Sequence, residues 1–319
     1  MKRLGAILAA TTMVVLAVVA RGMLDDGDAE DGGGGSETVA TSPGIICAED
    51  LAEVCADSGI TVARTELAGT TTDALIAAGG ADALDGQAWL VTGAWASVVL
   101  DERARLGQEP LFEVAGGPLA ATPVTIAVWS DRYEQLAARC GVPSGDELGW
   151  RCLAEQSGAA LDGGDRVSVA MPDVDTATGL VVAAAQAAGL IGGTDFASND
   201  FDGGFRSLAA RLAGGQTADP LQIMRSRGPG QVTAAATSLV DAAQLSSTFG
   251  TIRPGAPQPE VRAEVVVVVP TGTEISDDDR DALVEALSTA GWDPPSTEPA
   301  GLPSGGVLAA IRTLWSQNR

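Results

Sequence analysis

Five consecutive valines, residues 265–269, constrain the fold of this chain more than any other stretch. A strand with one wet face alternates apolar and polar side chains. An unbroken β-branched run has both faces to bury, so helices must cover its sheet on both sides. The next segment supplies one: Ser276 precedes three aspartates, and Gly291 follows the last apolar position. Those are an N-cap, first-turn negative charge that complements the helix dipole, and a stop.

The same grammar recurs upstream. "ITVARTEL", "AWLVTGAW", "TPVTIAVW" (residues 122–129) and "RVSVAMP" read as strands. "CAEDLAEVCADSG", "AGTTTDALIAAGGADAL", "DRYEQLAARCG", "TGLVVAAAQAAGLIG" and "DGGFRSLAARLAGG" read as helices. "TVATSPGII" reads as a first strand ending in a Ser-Pro-Gly turn, and "SGGVLAAIRTLW" places Val307, Leu308, Ile311 and Trp315 on one helical face. Strands alternating with helices through short turns define an α/β fold with a largely parallel sheet.

Composition narrows the function. Acidic residues number 42 against 19 basic, for a net charge of -23, and Lys2 is the only lysine. That balance repels nucleic acid and anionic lipid, and no basic patch with interleaved aromatics offsets it. There is no histidine. Ser-His-Asp and Cys-His nucleophile systems, the usual neutral-pH general base and histidine-containing zinc sites are therefore excluded. No nucleophile–base pair or metal set can be assembled, so neither an enzyme nor a cofactor is expected.

Lys2 and Arg3 precede an apolar run over residues 4–20, and the acidic, glycine-rich segment DDGDAEDGGGGSE follows at 25–37. Positive before and negative after implies export of the bulk of the chain. The run approaches the ~20 residues of a spanning helix, so residues 1–24 are expected to be an uncleaved anchor in the cytoplasmic membrane. The alternative is secretion after cleavage near Ala20. Residues 25–36 cannot bury enough surface to fold and are expected to be a linker.

Four cysteines lie in the exported part, an even number that suggests disulfides. Cys140 and Cys152 flank a loop containing proline and glycine and can approach. In one continuous helix, Cys47 and Cys55 would sit ~12 Å apart, beyond bonding reach; they pair only if the helix starts after Cys47. "DVDTATG" and "SNDFDGG" lack calcium-loop ligand spacing and read as acidic turns.

Several features, in this order, resemble the type 2 periplasmic solute-binding proteins, particularly the extracellular substrate-binding domains of actinobacteria. They are Ser42-Pro43, the threonine-rich turn at 70–72, Trp95 after the third strand, Thr122-Pro123, "MPDVDTATGL", "GPGQVTAAATS" and "RAEVVVVV". The resemblance spans roughly residues 37–319. It implies a two-lobed α/β fold with mixed sheets joined by two crossover strands: lobe one at 37–124 plus 265–319, lobe two at 125–264, behind an N-terminal membrane helix. It also implies capture of a small polar or anionic solute between the lobes for an ABC-type permease. The alternative is a sensor or interaction module of the cell envelope with a degenerate cleft.

The site follows from that fold. Helix N-termini at the carboxyl ends of parallel strands present unpaired N–H groups and a positive dipole end. Thr41 and Ser42, then Thr70, Thr71 and Thr72, then Thr176 and Thr178 would stand at three such turns, each serving either a ligand or only as a helix cap. Trp95 stacks on the ligand or packs in the core or hinge. No arginine lies inside the three turns; Arg225 and Arg227 are the nearest, and they read as solvated loop charges.

Overall fold

The computed structural model describes residues 44–77, 84–144 and 147–319. The expected anchor and linker, and with them Thr41 and Ser42, lie outside the described residues. In chain order the elements begin with β1 (Ile45–Ala48), a 3-10 turn (Glu49–Leu51), α1 (Ala52–Asp57), β2 (Val62–Glu66) and α2 (Ala68–Ala77). Next come β3 (Ala88–Thr92), α3 (Gly93–Arg105), β4 (Phe112–Val114), β5 (Ala120–Trp129) and α4 (Ser130–Cys140). Then follow α5 (Trp150–Gln156), β6 (Val169–Pro172), α6 (Ala177–Ile191), α7 (Gly203–Ala213), β7 (Gln216–Thr217), α8 (Pro220–Arg227) and β8 (Ala234–Ser238). The last are α9 (Leu239–Phe249), β9 (Ile252–Gly255), β10 (Arg262–Pro270), α10 (Asp277–Thr289) and α11 (Gly305–Ser316).

The strands run in the order 2-1-3-10-5-8-6-7, with β4 on β10 and β9 on β5. The sheet is mixed rather than largely parallel. β1 pairs in parallel with β2 and β3, and β6 with β7 and β8, but β10 and β5 run antiparallel to their neighbours. The long strand β5 belongs to both ends: residues 120–123 pair with β10, and residues 124–128 with β8. The returning chain runs back along it, β9 on residues 126–129 and then β10 on residues 120–123. β5 and the β9–β10 return are thus the two crossovers between a first sheet (β2, β1, β3, β10, β4) and a second (β8, β6, β7).

The valine run behaves as its composition demands, with residues 265–269 all buried. Ser276 caps α10 by accepting from the Asp279 amide. α6 lies almost wholly inside the molecule, and its buried polar side chain, Gln186, accepts from Trp315 Nε1 at 3.0 Å. Gly189 in α6 is required by close approach: a Cβ there would lie 2.5 Å from the Trp150 ring. One apolar core runs without a break from Trp89, Val98 and Val267 on the first-sheet side to Leu180, Val181 and Met171 on the second. α11 packs against both α3 and α6 and closes it. Each fully buried large side chain in such a core contributes about 1.5–3 kcal/mol.

Both disulfides form. Cys140 and Cys152 join across 5.7 Å between Cα atoms. Cys47 lies in β1 rather than in the helix, so it reaches Cys55 across 6.5 Å. β1 starts at Ile45, directly after the Ser-Pro-Gly segment, and the strand expected before that segment lies outside the described residues. No helix among the described residues is long and apolar enough to cross a membrane.

Candidate functional site

The turn between β6 and α6, residues 173–178, sits where the two sides of the molecule meet. Thr176 caps α6: its hydroxyl donates to the Asp173 carbonyl at 2.9 Å and accepts from the Gly179 amide at 3.0 Å. The next amides face a carboxylate of the chain itself. Asp50, in the 3-10 turn after β1, accepts from the Ala177 amide at 2.9 Å through Oδ1. Its Oδ2 accepts from the Thr178 amide at 2.8 Å and the Thr178 hydroxyl at 2.7 Å. A carboxylate on the amides of a helix start is favoured by direct hydrogen bonds and by the dipole together.

The carbonyls of the same turn are taken as well. The Gly69 amide donates to Asp175 at 2.9 Å, Trp95 Nε1 to Thr176 at 2.9 Å, and the Thr92 hydroxyl to Ala177 at 2.6 Å. Arg312 donates to Asp175 Oδ1 at 2.7 Å, binds Asp73, and lays its guanidinium 5.1 Å from the Trp95 ring centre. Arg319 reaches Asp173 and Asp175. Burial alone would raise the Asp175 carboxyl, but hydrogen bonds from Arg312 and Arg319 outweigh it and hold the group below the usual carboxylate range.

These contacts settle where the sequence-expected residues stand. The start of α2 meets the turn before α6 through Gly69, whose amide donates to the Asp175 carbonyl, and not through the threonines' hydroxyls. α2 begins at Ala68, so the threonines lie within the helix and do not cap it. Thr71 donates to Glu66 at 2.7 Å, the buried Thr72 hydroxyl has no partner, and Thr70 is exposed. Trp95 is fully buried in α3. Asp50, Thr92 and Arg312 were not anticipated. Asp50 lay inside a segment read as continuous helix, and the one available signal was its place directly after a strand ending at Ala48.

Beside this junction lies a cavity of about 590 Å³. Asp50 and Glu53 line it from the first-sheet side. Thr176 and Thr178, α8 and α9 line it from the second, with Asp219, Gln222, Arg225, Thr237, Asp241 and Gln244 among the polar groups. Four carboxylates therefore face one guanidinium, and Arg225 stacks 4.8 Å over Phe249. Arg225 is part of α8 rather than a loop charge, while Arg227 ends that helix and is exposed. Asp241 takes a hydroxyl hydrogen bond from Ser238 at 2.6 Å and another from Thr237 at 3.3 Å. Desolvation by the surrounding protein pushes its carboxyl up against those hydrogen bonds, and the charges of Asp50 and Asp219 add to the rise. No group of three or more carboxylate or thiol side chains among the described residues is arranged to hold a metal ion.

The fold matches solved structures. Iron-bound HitA from Pseudomonas aeruginosa aligns at a TM-score of 0.55 and 14% identity, covering 87% of this chain and 99% of that one. The periplasmic binding protein AfuA from Actinobacillus pleuropneumoniae, with fructose-6-phosphate bound, gives 0.53 and 13%, covering 88% and 99%. A periplasmic thiamin binding protein gives 0.56 and 10%, covering 92% and 99%. The chain has the fold of the type 2 periplasmic solute-binding proteins. No family model and no curated protein matches the sequence. At these identities the likeness shows the fold alone, and what the site does has to come from its chemistry.

Proposed function

We propose that this chain is an extracytoplasmic solute-binding protein without catalytic activity. It captures a small polar solute between two lobes, 37–124 with 265–319 and 125–264, and delivers it to a membrane transporter of the ABC type. Residues 1–24 hold it at the membrane and residues 25–36 tether it. The observation that carries the reading is the cavity: it is large enough for a metabolite and is reached by segments from both sides of the crossovers. Its four carboxylates and single arginine favour a solute that donates hydrogen bonds and carries positive charge, an amine rather than an anion.

Thermal-shift titration of the full chain in detergent, against alkyl diamines, amino acids, neutral sugars and oxyanions, tests this. Amine-bearing solutes are expected to raise the melting temperature saturably. Stabilisation by oxyanions alone contradicts the reading. One observation favours a second reading, an envelope sensor or interaction module with a degenerate cleft: the chain's own Asp50 already fills the start of α6. Absence of a shift with every solute class supports that alternative.

A further inference from the structure

We infer that Asp50 is a built-in occupant of the anion site at the start of α6, latching the two sides of the molecule together without solute. Removing its carboxylate uncovers a site for a small carboxylate. This goes beyond solute capture in the cavity, whose wall Asp50 shares, and is read without any solute.

The geometry is that of a bound ligand. Both oxygens of Asp50 are used, each on an α6 amide, and a hydroxyl adds a third bond from the same helix, across 127 and 128 residues of sequence. The latch is not a lone contact. The three carbonyls beside those amides are taken by Gly69, Thr92 and Trp95, all from elements of the first-sheet side. Arg312, from α11, grips the neighbouring Asp175 while packed on Trp95. Polar groups of the turn that would otherwise meet solvent or a ligand are matched by the chain itself, and the apolar core continues beneath them. A carboxylate in this position does for the closed arrangement what a captured anion does elsewhere at a helix start: it satisfies amides on one side while anchored to the other. An exogenous anion has no vacancy there.

Hydrogen exchange of the full chain in detergent, read at the amides of Ala177 and Thr178, tests the latch with no solute added. In the native chain these amides are expected to be protected, and formate is expected to leave them unchanged. In Asp50→Ala they should exchange about 10- to 100-fold faster, the effect of losing hydrogen bonds to a charged acceptor. Formate, which replaces the deleted carboxylate, should restore protection saturably. Unchanged amides in β10 serve as the check that the fold is intact. Should Asp50→Ala not fold, Asp50→Asn keeps the volume and one acceptor but loses the charge; it should give a smaller acceleration that formate does not reverse. The inference is overturned if both variants exchange like the native chain, or if formate slows exchange in the native chain as it does in Asp50→Ala. A solute-free failure of this kind leaves the amine reading of the cavity untouched, and an inactive cavity leaves the latch untouched.

Discussion

Two glycines at the same helical position should respond oppositely to the same substitution. Gly69 and Gly306 are each the second residue of a helix, α2 and α11. Replacing a helical glycine with alanine ordinarily gains up to about 1 kcal/mol. At Gly306 an added Cβ meets nothing within 4 Å, so that gain should be realised. At Gly69 it would lie 2.6 Å from Asp175 Oδ1, 2.8 Å from Arg312 Nη2 and 2.9 Å from Asp175 Cβ, all closer than real Cβ contacts come. The Arg312 end can swing, but Asp175 is fixed because its carbonyl also takes the Gly69 amide. Overpacking of this kind costs about 1–3 kcal/mol. Gly69→Ala is therefore expected to be net destabilising by about 1–2 kcal/mol. Thermal and denaturant unfolding of the two variants side by side decides it. A Gly69→Ala chain as stable as the native one refutes the claim that the two sides press against each other at this turn.

Three further outcomes follow from the charges and the crosslinks. The Asp175 carboxyl is lowered in the folded state, so its contribution should be complete above about pH 4 and lost as pH falls through the depressed folded value. Asp175→Asn should thus lower the melting temperature at pH 7, and the difference from the native chain should shrink in acid. Asp241 has the opposite sign: its carboxyl is raised, so stability falls as pH climbs from about 4 through the folded value. Asp241→Asn should be more stable than the native chain at pH 7, lose that advantage below about pH 4, and bind amines more weakly by calorimetry. Replacing Cys140 and Cys152 with alanine opens a loop of sequence separation 12 and should cost about 2–4 kcal/mol in denaturant unfolding.

Local signals in the sequence carried the elements well. The valine strand, the Ser276-capped α10 and the apolar face of α11 stand where their patterns placed them, because each depends on neighbours within a few residues. The site was legible only in outline. Thr176 and Thr178 do mark the junction, but the group that meets the α6 amides comes from 127 residues away, and its place after a strand is the one local hint of it. The cavity was hidden for a related reason. Asp219 reads locally as the cap of α8, accepting from the Gln222 amide, and Asp241 as first-turn charge in α9 beside its own cap Ser238. Both readings are correct, and only the fold brings the two carboxylates to one wall. Thr70, Thr71 and Thr72 looked like a cap because they precede an apolar run; a tertiary bond from Gly69 to Asp175 lets α2 start earlier.

The most direct test of the account is a crystal structure of the chain with the amine that gives the largest thermal shift. The account predicts the ammonium group in the cavity against Asp241 and Glu53, with Asp50 still on the amides of Ala177 and Thr178. A solute oxyanion seated on those amides with Asp50 displaced, or a solute bound outside the cavity, would contradict it.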